Sequence, residues 1–179
     1  MKDVSTSLAE HAVHYEASAI PKLRRALTVL QHHLGTALNS YSFIDIGSGK
    51  GLVVMLASLY PFRHVYGVEM APELHRIAQS NQRKFLERNP RAVSVSLECM
   101  NALEFDLPGG NVVVYLYNPF DALLMERFIA RLSDSSDENR QLLIVYVNSV
   151  HRRLFDNDRR FVGVFDDDSL CILRWDALQ

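Results

Sequence analysis

Apolar residues along this chain fall into short blocks whose spacing switches between the helical and the extended period. Between residues 20 and 34, Ile20, Leu23, Leu27, Leu30 and Leu34 recur three or four apart. Pro21 stands in the first turn and Gly35 just past the end, so both boundary signals of an amphipathic helix are present. Phe43, Ile44 and Ile46 read as a short buried strand. Leu52, Val53, Met55, Leu56 and Leu59 return to helical spacing over about 50 to 60, closed by Tyr60-Pro61. His64 to Glu69 predicts a second strand. A long helix follows from Pro72 to about Arg88, with Leu74, Ile77, Ala78, Phe85 and Leu86 on one side and Asn89-Pro90 as its stop. Val93, Val95 and Leu97 alternate with serines as a half-exposed third strand.

The second half repeats the rhythm. Asn111 to Tyr117 is nearly all apolar, the mark of a central parallel strand buried on both faces. Leu123, Leu124, Phe128, Ile129 and Leu132 predict a helix, and the polar run Ser133 to Arg140 a loop. Leu142 to Val147 is a fifth, buried strand. After a short basic segment, Phe161 to Phe165 and Leu170 to Trp175 flank Asp166-Asp167-Asp168-Ser169 and predict an antiparallel hairpin. The expected fold is therefore α/β: one domain over 1–179, with a mostly parallel seven-stranded sheet, helices on both faces and a C-terminal antiparallel hairpin. Residues 1–39 are expected to form an N-terminal helical lid segment and 40–176 the core. In such sheets ligand sites gather beyond the carboxyl ends of the strands.

Composition narrows the classes. The chain has 179 residues, 48% of them hydrophobic, and a formal charge of −2, which argues against broad sequence-independent binding of nucleic acid. A basic region followed by an apolar stretch is missing at the start, and no run approaches the length of a membrane span, so a cytoplasmic protein is expected. Cys99 and Cys171 make neither a disulfide framework nor a zinc site, and each is expected as a buried thiol. His32 and His33 are adjacent on a helix and point in different directions, so no metal site is expected there.

Candidate chemistry concentrates in Phe43-Ile44-Asp45-Ile46-Gly47-Ser48-Gly49-Lys50-Gly51, a strand running into three alternate glycines ahead of a helix. Glycines at such a turn let the backbone bend sharply and approach a ligand closely. A phosphate-binding P-loop would need a glycine at position 44, where Ile44 stands, and Ser or Thr at 51. A dinucleotide fingerprint would place its third glycine at Leu52. Asp45 would also repel a pyrophosphate, whereas it would attract a ligand carrying an ammonium and a sulfonium.

The segment resembles the cofactor motif of the class I (Rossmann-like) methyltransferases that use S-adenosylmethionine (SAM). The likeness covers roughly residues 40 to 175 and includes the terminal hairpin, which dinucleotide dehydrogenases lack. It implies SAM as cofactor, held by Asp45, Gly47, Ser48, Gly49 and Gly51. It further implies that Glu69, 18 residues after Gly51, accepts the ribose hydroxyls. A helix-start carboxylate is the competing reading of Glu69. Met70 beside it would pack on adenine, or is plain core. Asn101-Ala102 stands where the family shows Asp-Ala, and an amide oxygen can accept the same adenine amino hydrogen. A turn-forming asparagine is the alternative. Asn118-Pro119-Phe120 is similar to the motif of amino-group methyltransferases, one proline short. There the polar side chain and a proline carbonyl receive the amino hydrogens and the aromatic ring stacks on the acceptor. A helix-cap or turn role competes for Asn118. A looser similarity runs to the non-SET histone lysine methyltransferases and related small bacterial proteins.

The implied function is methyl transfer to a nitrogen acceptor, with a SAM-binding module that does not turn over as the rival. A protein side chain or small molecule is favoured as acceptor over nucleic acid, and a homodimer or partner could complete the pocket of so short a chain. Tyr15 and Glu16 belong either to a lid or to a frayed terminus. His151, Arg152, Arg153, Arg159 and Arg160 form the dense basic cluster, diluted by Asp156 and Asp158. It reads as a solvated, self-paired surface or as an anion contact.

Overall fold

The computed structural model describes residues 20–134 and 140–176, apart from the side chain of Asp134. Helix α1 spans 20–34 and passes at Gly35, φ +55°, into a short 3-10 turn, Gly35–Ser40. The strands and helices that follow are β1 (Tyr41–Ile46), α2 (Leu52–Ala57), β2 (His64–Glu69), α3 (Pro72–Arg88), β3 (Val95–Cys99) and β4 (Asn111–Tyr117). The chain continues with α4 (Ala122–Asp134), β5 (Leu142–Val147), α5 (Arg152–Asp156), β6 (Phe161–Asp166) and β7 (Leu170–Trp175). Seven strands make one sheet in the order β3-β2-β1-β4-β5-β7-β6. The first five are parallel, and β7 pairs antiparallel with both β5 and β6, as the terminal hairpin predicts.

Each face of the sheet carries its own apolar layer. On one side Leu23, Leu27 and Leu30 of α1 and Val54 of α2 pack on Phe43, Val113 and Val145. On the other, Met125, Phe128 and Leu132 of α4 and Phe155 of α5 cover Ile44, Leu116 and Ile144. β1, β4 and β5 are buried on both faces, which explains their unbroken apolar runs. Edge strand β3 is only half-buried, as its serines foretell. Each of the three α1 leucines, fully sequestered, contributes about 1.5–3 kcal/mol, so tertiary burial rather than helix propensity holds α1.

Four expectations need correction. α2 is shorter than 50–60: left-handed Gly51, φ +84°, begins it, and the Ser58 hydroxyl donates to the Met55 carbonyl at its end. α4 runs through Asp134, into the segment expected as a loop, and 135–139 lie outside the described residues. The basic segment after β5 contains the helix α5, too short for a periodic signal and anchored by buried Phe155. Cys171 is buried, but Cys99, last residue of an edge strand, is exposed. Tyr15 and Glu16 lie outside the described residues. No helix among the described residues is long and apolar enough to cross a membrane.

Candidate active site

The sheet reverses its winding between β1 and β4, and a cavity of about 600 Å³ opens beyond the carboxyl ends of these strands. That volume suits a cofactor-sized ligand. Its floor is the turn after β1. Gly47, Gly49 and Gly51 adopt φ of +77°, +52° and +84°, which side chains resist, and the alternation folds the loop back on itself. The Gly47 and Ser48 amides both donate to the Val68 carbonyl, at 2.9 and 3.0 Å, tying the loop to β2. The Asn81 side chain of α3 donates to the Lys50 carbonyl at 3.1 Å. Gly67 on β2 permits the close approach: a Cβ there would lie 2.8 Å from Val54 Cγ2 and 3.0 Å from Ser48 Oγ.

Two carboxyls sit in this pocket. Glu69, at the end of β2, accepts the Gly49 amide on Oε2 and the Ala71 amide on Oε1, each at 2.8 Å. These bonds hold the Gly-rich turn against β2 and leave each oxygen a further lone pair. Asp45, level with Gly67 on one side and Tyr115 on the other, is 3% exposed. Among the described residues no hydrogen bond or ion pair reaches its carboxyl. Burial first, and the negative charge of Glu69 second, push its pKa up to about 8. The Asp45 carboxyl is thus neutral at pH 7 and faces a cavity in which a cation would favour its ionised form.

The far wall comes from β3 and β4. Asn101 and Ala102 line the cavity, and Asn101 Oδ1 accepts the Leu103 amide at 3.0 Å, so the turn-forming role is real and leaves one lone pair and the NH2 for a ligand. Asn118, Pro119 and Phe120 line the same cavity from the end of β4. Asn118 holds φ +46° and is not the cap of α4; Asp121 is, its Oδ1 accepting the Leu124 amide at 2.9 Å. A Cβ on Gly47 would lie 3.4 Å from Pro119 Cβ, an ordinary contact, so the β4 loop lies against the turn after β1 and it is the φ of +77° that calls for glycine there. Phe120 is half-buried, its ring 5.3 Å from that of Phe128.

The structure therefore brings together Asp45, Gly47, Ser48, Gly49, Glu69, Met70, Asn101, Ala102, Asn118, Pro119 and Phe120. Met70 is 71% exposed, at the rim. Gly51 is absent from the lining and packs instead on Ala78 of α3, with 3.3 Å available to a Cβ. Leu74 of α3 and Tyr115 and Tyr117 of β4, which periodicity marks only as core, also line the cavity, placed there by the packing of α3 and the register of β4. In the basic cluster, Arg152 pairs with Asp156 at 2.7 Å and Asp166 at 3.0 Å, and Arg160 with Asp158 at 2.7 Å. Two of its four arginines are thus matched within the segment and the hairpin. No group of three or more metal-ligating side chains occurs among the described residues.

No family model and no curated protein sequence matches the chain. Solved structures do. Magnesium protoporphyrin IX methyltransferase from Synechocystis PCC 6803, solved with SAM bound, is 15% identical, with a TM-score of 0.58 over 90% of this chain and 82% of that one. Precorrin-6y C5,15-methyltransferase from Geobacter metallireducens GS-15 is 20% identical, with a TM-score of 0.55 over 86% of this chain and 87% of that one. Strand order, parallel core and terminal hairpin agree with these likenesses: the chain has the Rossmann-like fold of the class I SAM-dependent methyltransferases.

Proposed function

We propose that this protein is a SAM-dependent methyltransferase acting on a nitrogen acceptor. The observation that carries the reading is the buried, unpartnered carboxyl of Asp45 in a cavity whose other acid, Glu69, is already fixed to the Gly-rich turn. A pyrophosphate placed there would meet two acids, which speaks against a dinucleotide. A ligand with an ammonium and a sulfonium would relieve the charge that Asp45 cannot carry alone. The residues present fit SAM: Asp45 toward the cationic end, the free lone pairs of Glu69 toward ribose hydroxyls, Asn101 toward the adenine edge.

Bound SAM supplies a methyl group on a positively charged sulfur. The chain's own part is to align an acceptor and keep water out. Asn118 Oδ1 and the Pro119 carbonyl offer two hydrogen-bond acceptors for an amine or amide nitrogen, and Phe120 offers a flat apolar wall. These groups sit beside the glycine turn, Pro119 lying against Gly47.

The test is thermal unfolding with SAM, S-adenosylhomocysteine (SAH), NAD and ATP in parallel. A ligand at a hundred times its dissociation constant stabilises by about 2.7 kcal/mol, roughly 5–10 °C in a domain of this size. A shift with SAM and SAH alone is expected. A shift with NAD alone, or with none of the four, would refute the reading.

A further inference from the structure

Asn118 is held by a relay of hydrogen bonds that begins on the backbone of the loop after β5. The His151 amide donates to Tyr146 Oη at 3.2 Å, and Tyr146 Oη lies 3.1 Å from Asn118 Oδ1. A tyrosine hydroxyl carries one proton. With the backbone amide already donating to its oxygen, that proton goes to Asn118, and the atom receiving it is the side-chain carbonyl oxygen. An NH2 in that place would leave the hydroxyl proton without an acceptor.

The donor is rigid. Tyr146 is fully buried on β5, its ring 5.7 Å from that of Phe155, so the hydroxyl does not follow a rotated amide. Burial, the largest influence, raises its pKa above the ordinary tyrosine value, against the His151 amide which lowers it, so the hydroxyl keeps its proton at neutral pH. The backbone of Asn118 is set as well, at φ +46° ahead of Pro119. The remaining freedom is the half-turn of the amide, which exchanges an oxygen for an NH2 of nearly the same size. That exchange matters for an acceptor bearing N–H groups. An oxygen pairs with them, and an NH2 opposes donor to donor. Tyr146 occupies one lone pair of Oδ1 and leaves the second.

We propose that Tyr146 is a positioning residue of the acceptor site, its hydroxyl locking the Asn118 amide in the one orientation that offers an oxygen to the incoming nitrogen. The proposal rests on the methyltransferase reading. Aspartate provides the discriminating control, because its two oxygens make the half-turn immaterial. The experiment compares wild type, Tyr146→Phe, Asn118→Asp and the double variant. Its first readout is the side-chain ¹H–¹⁵N pair of Asn118, assigned by its loss in Asn118→Asp and recorded with and without SAH. One sharp pair is expected in the wild type and a split or broadened pair in Tyr146→Phe, with SAH affinity unchanged. The second readout is SAH formed from SAM over a panel of primary amines, carboxamides and aminopurines. Tyr146→Phe lowers kcat about tenfold, the worth of one hydrogen bond, and this loss vanishes in the Asn118→Asp background. An unchanged Asn118 pair in Tyr146→Phe, or an equal loss in both backgrounds, would overturn the proposal. Failure of the wild type to bind SAH would overturn the methyltransferase reading instead, and the ligand-free Asn118 pair would still decide whether Tyr146 locks the amide.

Discussion

Replacing Asp45 by asparagine should stabilise the ligand-free protein and weaken its hold on SAM. The reason is the pKa of about 8 for a group whose ordinary value is 3.8. Between those values the unfolded chain has released this proton and the folded chain retains it. The folded state therefore binds more protons, and stability falls as pH rises, by about 1.4 kcal/mol per unit. At pH 7 the accumulated cost is roughly 4 kcal/mol, a ceiling that solvent in the open cavity lowers. Asparagine is isosteric and cannot ionise, so Asp45→Asn should gain about 2–4 kcal/mol at pH 7, or roughly 4–16 °C in Tm. Near pH 4 the gain should shrink towards zero. SAM has the opposite preference, since its cation is best met by the ionised carboxyl. Wild-type affinity should rise up to tenfold per unit between about pH 6 and 8 and level off above, with one proton released on binding. Thermal unfolding across pH, and calorimetry of SAM binding in buffers of different ionisation enthalpy, read both effects. A destabilised Asp45→Asn protein, or SAM binding without proton release at pH 7, would refute the reasoning.

Glu69→Gln places an NH2 where the carboxylate now accepts the Gly49 or the Ala71 amide, so about 1–3 kcal/mol of stability and at least about tenfold in SAM affinity should be lost. The same variant removes the charge that helps raise Asp45, so calorimetry should find the pH dependence of SAM binding moved downward. Unaltered SAM affinity would remove Glu69 from the site. Gly67→Ala drives a methyl to 2.8 Å from Val54 Cγ2 and 2.9 Å from Leu97 Cδ2, and chemical denaturation should record a loss of about 1–3 kcal/mol. A neutral outcome would mean that α2 and β3 yield more easily than their packing indicates.

Most of the scaffold is written locally. The leucine spacing of α1, the unbroken apolar runs of β4 and β5, and the turn between β6 and β7 are each recorded in a window of a dozen residues, where a period of two or of 3.6 stands out. The glycines after β1 also announce themselves, because φ of +52° to +84° at three alternate positions is a demand on the backbone that residue identity must meet. α5 escaped because five residues hold too little of a period, and Cys99 was misjudged because the half-exposed pattern of β3 does not settle the exposure of its last residue, which the sheet leaves at an open edge. In the site the split is the same. Asp45, Glu69 and Asn118 could be singled out by type and place in their motifs. That Asp45 is neutral, that Glu69 clasps the glycine turn, and that Asn118 answers to Tyr146 depend on partners 20 to 28 residues away, brought together by strand order. A sequence records what each residue prefers among its neighbours along the chain; desolvation, charge proximity and hydrogen-bond direction belong to neighbours across space, and only the folded sheet chooses those.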